Sequence, residues 1–273
     1  MNITHDGDLR ADSDNGIRAV EKTFVVLDVL AEERSPNPVP VSYLVRQTGF
    51  HRSSIQRCLT SLIHSGYVEV DPDGAGYRIT CKVLRLSQRF VRTHNLVASA
   101  HPYLVRLRDV TDETAFFAVL SGESWVPVSQ EESYQPLRQS MRLGSPLPLA
   151  CGAGGRAILA FAPEELINRV LSQPIPALGP GAITDPNRQR ELFRLARQHG
   201  YTIGVGELQE GAGGIGGPVF DHDGRVAGTM GIGVPAARLG ADRQLALARE
   251  VRAACEHFSA ELGANIEIPH EGD

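Results

Sequence analysis

Apolar residues recur at helical spacing in the stretch GFHRSSIQRCLTSLIHSGY, residues 49–67. Their spacing of i, i+4, i+7 and i+8 predicts a helix over residues 52–65 with one apolar face, formed by Ile55, Leu59, Leu62 and Ile63. The other positions carry mostly hydroxyl, amide and guanidinium groups and no carboxylate. A helix face that only needs solvation usually mixes both signs of charge, so this face is typical of contact with a polyanion. We interpret the stretch as a DNA-recognition helix.

The residues around this helix predict a winged helix-turn-helix domain over residues 17–80. Residues 17–33 form an amphipathic helical pattern, and YLVRQT after Ser42 predicts a short capped helix that ends at Gly49. The breaker RSPNPVP separates the two helices and leaves room for one short strand. After the recognition helix, YVEVDPDGAGYRIT alternates around a turn and predicts a hairpin, the wing. The apolar stripe of the first helix is wide, which fits either a well-buried helix or a dimer contact.

The rest of the pattern predicts a second domain of the α+β class. A helical linker is expected over residues 81–111, and the domain itself over residues 112–265. A hairpin opens the domain at ETAFFAVLSGESWVPVSQEE; further strands are predicted at 201–206, 214–220 and 225–234, and helices at 155–161, 163–171, 188–199 and 241–262. Antiparallel strand pairs with helices at intervals favour α+β over a βαβ array. Residues 1–16 are predicted to be a disordered leader and residues 266–273 a tail.

Charge is distributed unevenly between the two predicted domains. The chain has 273 residues and a net charge of −5, which is unusual for a DNA-binding protein. Between residues 17 and 95, however, eleven Lys or Arg stand against seven Asp or Glu. This basic excess lies in the same third of the chain as the predicted recognition helix, as expected of a surface that binds phosphate.

Composition excludes several classes of protein. No apolar run approaches the roughly 20 residues that cross a bilayer, and the N-terminal residues contain no apolar signal core, so we expect a cytoplasmic protein without membrane contact. The four cysteines are far apart and form no CxxC pair, which argues against a zinc ribbon or a disulfide scaffold. No metal ligands and no cofactor are predicted.

Individual side chains of the recognition helix have distinct candidate roles in DNA binding. Arg52 and Arg57 can make bidentate contacts to guanine or charge-assisted contacts to phosphate, and Gln56 can bind adenine. Hydroxyl groups near the helix N-terminus suit phosphate oxygens, which the helix dipole also favours. The full predicted set of DNA contacts is Arg52, Ser53, Ser54, Gln56, Arg57 and Thr60, with Lys22, Tyr77 and Arg18 as backbone contacts. The alternative for the helix face is solvation only.

Five segments in order resemble one known family. They are TGFHRSSIQRCLTSLIHSGYVEVDPDGAGYRI, TDETAFFAVLSG, LPLACGAGGRAILA, GYTIGVGELQEG and GGPVFDHDGRVAGTMGI, and their order and spacing are similar to those of IclR-type transcriptional regulators from about residue 17 to 263. The resemblance implies an N-terminal winged helix that binds operator DNA as a dimer, often within a tetramer. It also implies a C-terminal GAF-like domain that binds a small organic effector, and control of catabolic operons, frequently for aromatic or organic acids.

The chain departs from the pattern of that family in the segments of the implied effector site. The family usually has His where Ala150 stands and Lys where Arg156 stands. It often has serines at the positions of Gly231 and Gly233, a Cys or Ser at Gly214, and sometimes an acidic residue at Gly204. The expected site therefore lacks several polar side chains. The effector is then bulkier and more apolar than a short keto acid, or is bound by backbone amides, or is absent.

Candidate effector contacts follow from the same segments. The glycine-rich CGAGG precedes a predicted helix, whose first amides could hold an effector carboxylate; the alternative is that the glycines only allow close packing. The predicted effector-binding residues are Cys151, Ala153, Gly154, Gly155, Glu207, Gly214, Met230, Gly231 and Gly233. Met230 is more readily explained as a core residue, and Glu207 equally as surface charge. Cys151 is more readily explained as a buried small residue, but a helix N-terminus lowers a thiol pKa, so a cysteine nucleophile is an alternative.

The sequence therefore predicts a DNA-binding transcriptional regulator, expected to repress a catabolic operon, and not an enzyme. Its predicted partners are double-stranded operator DNA, a small organic or aromatic acid effector, and further copies of itself in a homodimer or homotetramer. The linker is expected to couple effector binding to DNA binding. Two alternatives stay open for the C-terminal domain: a ligand-free oligomerisation module, and an enzyme dependent on Cys151.

Overall fold

A computed structural model describes residues 17–33, 35–86 and 96–264 of the chain. The predicted leader, residues 1–16, and the predicted tail, residues 266–273, lie outside the described residues. The chain divides into two compact units, one up to residue 94 and one from residue 95 onward.

The first unit is a three-helix domain with a two-stranded hairpin. Its elements are α1 (Arg18–Glu32), α2 (Val41–Thr48), α3 (Arg52–His64), β1 (Val68–Val70) and β2 (Tyr77–Ile79). The strands pair in antiparallel register, and Val39 adds an isolated bridge to Tyr77. Buried residues from all three helices form one core, made by Val26, Leu30, Val39, Leu44, Ile55, Cys58, Leu59, Leu62 and Val68. The prediction of a winged helix-turn-helix is confirmed.

Two local predictions in this unit need correction. Ser42 does not cap α2, because the helix begins at Val41 after Pro40, whose φ of −76° and ψ of 153° place it in the extended region, and Ser42 is exposed. Gly49 does end the helix, at a φ of 68° that favours glycine, with its N–H donating to Val45 O at 3.0 Å. Ile63 is 37% exposed, because it lies in the last turn of α3, away from the core residues.

Among the described residues of the first unit, none covers the apolar side chains in the N-terminal half of α1. Val26 and Leu30 are buried against the other helices, whereas Ile17, Val20 and Phe24 are 71%, 48% and 59% exposed. The last three recur at i, i+3 and i+7, so they form one exposed apolar stripe on the helix. Of the two alternatives for the wide stripe, a well-buried helix does not hold for this half, whose apolar side chains are exposed.

The second unit is an antiparallel sheet with helices on both faces. Its helices are α4 (Leu96–Thr111), α5 (Gly152–Leu159), α6 (Glu164–Leu171), α7 (Pro186–His199) and α8 (Ala241–Glu261). Its strands are β3 (Thr114–Ser121), β4 (Ser124–Glu131), β5 (Leu147–Pro148), β6 (Thr202–Val205), β7 (Ala212–Phe220) and β8 (Val226–Pro235). The strand order is β5-β4-β3-β8-β7-β6, and a short 3₁₀ helix, Ala236–Arg238, precedes α8. The predicted α+β class is confirmed.

Successive side chains of a strand point to opposite faces of the sheet, and each face has its own hydrophobic core. Phe117, Met230 and Ile215 face α4 and α8, in a core that includes Leu104, Leu107, Val251 and Phe258. Phe116 and Trp125 face the opposite side, in a core with residues of α5, α6 and α7. We call this second side of the sheet the α5 face.

Two boundaries differ from the sequence prediction. Residues 96–111, expected in the linker, form α4 and belong to the second unit, because Ala100, Leu104 and Leu107 are buried in its core. The helix expected at 155–161 begins at Gly152, since packing of its glycines against the sheet outweighs their low helix propensity.

Within the described residues, none of the helices combines the length and the apolar character needed to cross a membrane.

Candidate functional site

The exposed face of α3 carries the predicted DNA contacts. One face of the helix is buried in the core, so the opposite face must point outward. The buried residues are Ile55, Cys58, Leu59 and Leu62. Arg52, Ser53, Gln56, Arg57 and Thr60 are all exposed, and Ser54 is half-buried in the first turn. The structure therefore brings the predicted helix residues together on one solvent-facing surface, without a carboxylate in the helix.

Neither arginine on this surface is neutralised by another residue that the structure describes. Among the described residues, no salt bridge reaches Arg52 or Arg57, whereas Arg78 in the wing pairs with the buried Asp71 at 2.7 Å. An unpaired guanidinium on a convex helix keeps its full charge and all its donors for a phosphate or a guanine. The Thr60 hydroxyl donates to Gln56 O at 2.9 Å and can still accept a hydrogen bond.

Lys22 and Tyr77, predicted as backbone contacts, lie in different environments. Lys22 is exposed on α1, and its Nζ lies 5.2 Å from the centre of the Phe50 ring, next to the turn that precedes α3. Tyr77 is half-buried, packs on the core of the first unit, and exchanges two backbone hydrogen bonds with Val39. The backbone of Tyr77 thus attaches the wing to the segment before α2.

Lys82 has a structural role that sequence reasoning missed. Its ammonium group donates to the carbonyl oxygen of Ser65, the C-cap residue of α3, and lies 4.7 Å from the centre of the Tyr67 ring. A cation at a helix C-terminus satisfies unpaired carbonyl groups and the helix dipole. Lys82 lies seventeen positions after Ser65 in the sequence, so no local pattern could have revealed the contact.

In the second unit, Glu207 occupies the N-terminus of α5. Its Oε2 accepts from the Gly152 N–H at 3.3 Å and forms a buried ion pair with Arg156, which also donates to Ile203 O at 3.2 Å. Arg156 is 0% exposed and Glu207 6% exposed. An effector carboxylate was predicted on the amides of Ala153, Gly154 and Gly155; the chain's own Glu207 carboxylate lies at this helix end, bonded to the Gly152 amide, and is not surface charge.

The Trp125 ring packs so closely against α5 that positions 154 and 155 have no room for a side chain. A methyl group placed on Gly154 would lie 2.8 Å from the Trp125 ring, and one on Gly155 would lie 2.5 Å from Leu149 O. Trp125 is 1% exposed and its Nε1–H donates to Cys151 O at 3.1 Å. These two glycines allow close packing of α5 on the aromatic core, which was the alternative given for them.

The environment of Cys151 does not favour a nucleophile. Burial, followed by the Glu207 carboxylate, raises the pKa of the Cys151 thiol to about 11, against a smaller lowering by Arg156. The prediction that the helix N-terminus lowers this pKa is wrong, because the thiol is buried beside an anion. Its Sγ is 3.6 Å from Pro176 O, on the loop after α6.

Three glycines form a row across the α5 face. Gly204 on β6 pairs with Gly214 on β7, which pairs with Gly233 on β8, and residues in direct register share one face of a sheet. We call these residues the glycine row. Gly231 lies on the same face but is buried under Phe116, and Ala153 lies over Gly204. Met230 lies on the opposite face, so the structure does not place it with the other predicted effector contacts.

No metal site is evident in the part of the chain that the structure describes, since none of its His, Cys, Asp and Glu side chains form a group of three that could hold an ion.

Family models match both units of the chain. Residues 19–72 match the IclR helix-turn-helix domain, and residues 88–260, well over half of the chain, match the bacterial transcriptional regulator IclR C-terminal domain. The chain belongs to the IclR family. It is therefore a DNA-binding transcriptional regulator, and its curated relatives are named as regulators or repressors rather than as enzymes.

IclR-family relatives match over nearly the whole chain. The HTH-type transcriptional regulator KipR of Bacillus subtilis is 29% identical over 250 residues, covering 91% of this chain and 98% of the relative. The transcriptional repressor AllR of Salmonella typhi is 28% identical over 258 residues, covering 94% of each protein.

A solved structure confirms the IclR fold. The chain superposes with a TM-score of 0.72 on an IclR homolog from Microbacterium hydrocarbonoxydans, crystallised with 4-hydroxybenzoate, at 23% identity over 88% of this chain and 98% of that one. At this identity the similarity shows a shared fold.

Proposed function

We propose that this IclR-family protein represses a catabolic operon and that a small organic effector, bound in its C-terminal unit, controls its affinity for operator DNA. The observation that carries the DNA-binding part is the exposed face of α3, where Arg52 and Arg57 have no salt-bridge partner among the described residues. Phosphate contacts would position the helix and base contacts would give it sequence specificity. Ser53, Ser54, Gln56 and Thr60 complete the proposed contact set.

Repression is supported by the relatives. AllR, which is similar over 94% of the chain, is named a transcriptional repressor. A repressor bound at a promoter needs a signal that releases it from the DNA. We propose that effector binding is this signal. The effector must bind one conformational state of the protein better than another, since otherwise it cannot shift DNA binding.

The C-terminal unit is the proposed site of the effector. The glycine row leaves bare backbone on the α5 face, at Gly214 and Gly233, beside the N-terminus of α5. The Microbacterium neighbour, which shares this fold, was crystallised with 4-hydroxybenzoate, a small aromatic acid. We propose an effector of similar size, with an aromatic or organic acid as the class that the family resemblance implies. Ala153, Glu207, Gly214 and Gly233 are its proposed contacts.

A homodimer is supported by the exposed stripe on α1. Ile17, Val20 and Phe24 present apolar surface that no other described residue of the first unit covers. Two copies could bury this stripe against each other and would place two recognition helices on one operator. Regulation of transcription in this way takes place in the cytoplasm, where we propose that the protein acts.

Binding-site sequencing across the genome, followed by a gel-shift assay on the recovered sites, tests the proposal. We expect a small set of inverted-repeat sites upstream of catabolic genes, increased transcription of those genes on deletion, and release of the DNA by a metabolite of the pathway. Decreased transcription on deletion would contradict repression. Failure of every pathway metabolite to shift DNA affinity would leave the C-terminal unit as an oligomerisation module.

A further inference from the structure

The α5 face carries bare backbone along the glycine row, between Glu207 at Gly204 and Gln139 at Gly233, and we call this space the cleft. Gly214 and Gly233 lie in the two strands β7 and β8, inside the sheet rather than at its edge, yet both are partly exposed. A methyl group placed on Gly214 would meet only Ile232 O, at 3.1 Å, which belongs to the floor itself. Solvent therefore reaches bare backbone in the middle of the sheet. A flat molecule can lie on such a floor at van der Waals distance.

Glu207 closes one end of this cleft. Its Oε1 lies 2.6 Å from the position that a Cβ of Gly204 would occupy, so the carboxylate sits directly over the first glycine of the row. Oε2 accepts from Gly152 and Arg156, but among the described residues no donor reaches Oε1. Because Oε1 is not enclosed by the chain, it can accept a hydrogen bond from a ligand in the cleft.

Gln139 closes the other end. Its Cβ lies 3.0 Å from the position that a Cβ of Gly233 would occupy. Nearby, the Arg238 guanidinium donates to Leu137 O at 2.8 Å and to Glu113 at 2.8 Å, which fixes the loop that carries Gln139. Within the described residues, the Gln139 amide makes no hydrogen bond, so it can serve a ligand in the cleft.

We infer that the cleft takes a flat, single-ring molecule that donates a hydrogen bond from a hydroxyl or amino group to Glu207 Oε1, and that the Glu207 end rejects a carboxylate. The inference rests on the proposed function, because it takes this cleft to be the effector site. A ligand carboxylate beside Glu207 would be repelled by it, and the Gly152 amide and Arg156 already bind the Glu207 carboxylate. Neighbouring strands lie about 4.8 Å apart, so the two ends are roughly 10 Å apart. One six-membered ring with a polar substituent at each end fits this span.

Three methyl esters of benzoic acids test this preference by direct calorimetric binding to the full chain without DNA. Methyl 4-hydroxybenzoate has a hydroxyl donor for Glu207 and an ester carbonyl that can accept from the Gln139 amide, methyl benzoate has no donor, and monomethyl terephthalate replaces the hydroxyl donor by a carboxylate. Since hydrogen bonds to charged groups contribute about 1.5–3 kcal/mol, we expect methyl 4-hydroxybenzoate to bind at least about tenfold more tightly than either of the others.

Two variants and a control sharpen the test. Glu207→Gln removes the anion from Arg156 and places an amide donor in the cleft, so the preference should invert toward monomethyl terephthalate. Gly214→Ala adds a methyl group to the floor with only one close contact, so it should fold and weaken all ring ligands. Glu210→Gln, an exposed carboxylate on the same loop, should leave the binding unchanged.

Tighter binding of monomethyl terephthalate than of methyl 4-hydroxybenzoate to the wild-type protein, or no binding of any of the three esters at millimolar concentration, would overturn the inference. If Glu207→Gln does not fold, unchanged binding by Gly214→Ala would equally overturn it. The expected order of binding without any change in operator affinity would support the ligand class while contradicting effector control, so the two failures are distinguishable.

Discussion

The ammonium group of Lys82 donates a hydrogen bond to the carbonyl oxygen of Ser65, at the C-terminal end of the recognition helix α3. The first residues beyond the wing are thus attached directly to that helix. Thr80 strengthens the attachment, because its hydroxyl donates to Gly66 O at 2.6 Å. The position of α3 and the start of the segment that leaves the domain are therefore coupled within the first unit.

Lys82→Met should loosen the end of α3. The substitution removes a charge-assisted hydrogen bond, which contributes about 1.5–3 kcal/mol, and the contact with the Tyr67 ring. We expect hydrogen exchange of the last amides of α3 to become about tenfold faster, measured by mass spectrometry on the full chain. Arg85→Met, an exposed residue three positions later, is the matched control. Equal exchange in the two variants would show that the contact does not hold the helix.

Gly155→Ala should destabilise the second unit. The added methyl group would lie 2.5 Å from Leu149 O and 2.7 Å from the Trp125 ring, so either α5 or the tryptophan must move. Overpacking of this kind costs about 1–3 kcal/mol, and we expect the thermal unfolding temperature to fall by several degrees. Gly240→Ala, where the methyl group would meet nothing within 4 Å, should change it little. An equal fall of the unfolding temperature in the two variants would contradict close packing of Gly155 against Trp125.

The first unit could be predicted closely from the sequence because its signals are local. Helical periodicity, Gly49 and the DPDGAG turn each act within a few residues, and they placed α3 and the wing correctly. The errors arose where packing between distant segments outweighs local preference. The helix α5 begins at Gly152, although its three glycines have a low helix propensity. The helix α4 was expected in the linker but packs into the core of the second unit.

The C-terminal site was less predictable for the same reason. The sequence could identify the glycines at positions 214 and 233 as unusual. It could not show that the pairing of β6, β7 and β8 aligns them with Gly204. Nor could it show that Glu207 lies over that row and pairs with Arg156, fifty-one residues earlier. Trp125 is the clearest case, because its ring explains Gly154 and Gly155 and only the folded chain brings them together.

Cys151 should resist alkylation at neutral pH. Its pKa is raised to about 11, chiefly by burial, so the thiolate is scarce near pH 7 and increases about tenfold for each pH unit up to that value. Cys81 is exposed and should react with iodoacetamide first, as peptide mapping by mass spectrometry would show. Rapid labelling of Cys151 at neutral pH would contradict the described environment and revive the enzymatic alternative.

Phe24→Lys should weaken the proposed dimer. The side chain is 59% exposed at the C-terminal end of the stripe with Ile17 and Val20, and a charge there would be buried unpaired in a contact between two copies. Sedimentation equilibrium should show a shift toward smaller species or, in a tetramer held by other contacts, loss of tight operator binding. Val70→Lys, at a 52% exposed apolar residue of the wing, is the control for sedimentation. If both the mass in solution and the operator affinity were unchanged, α1 would not be part of the dimer interface.

The most direct test of DNA recognition by α3 is the operator affinity of Arg57→Ala, measured against salt concentration. Arg57 is exposed and has no salt-bridge partner among the described residues, so its loss should cost about 1–3 kcal/mol of binding, roughly a tenfold or larger rise in Kd. If the contact is to phosphate, the slope of log affinity against log salt should also fall by about one. Arg194→Ala, an exposed arginine of the second unit, should leave both quantities unchanged. An Arg57→Ala protein with wild-type affinity and wild-type salt dependence would contradict the assignment of α3 as the recognition helix.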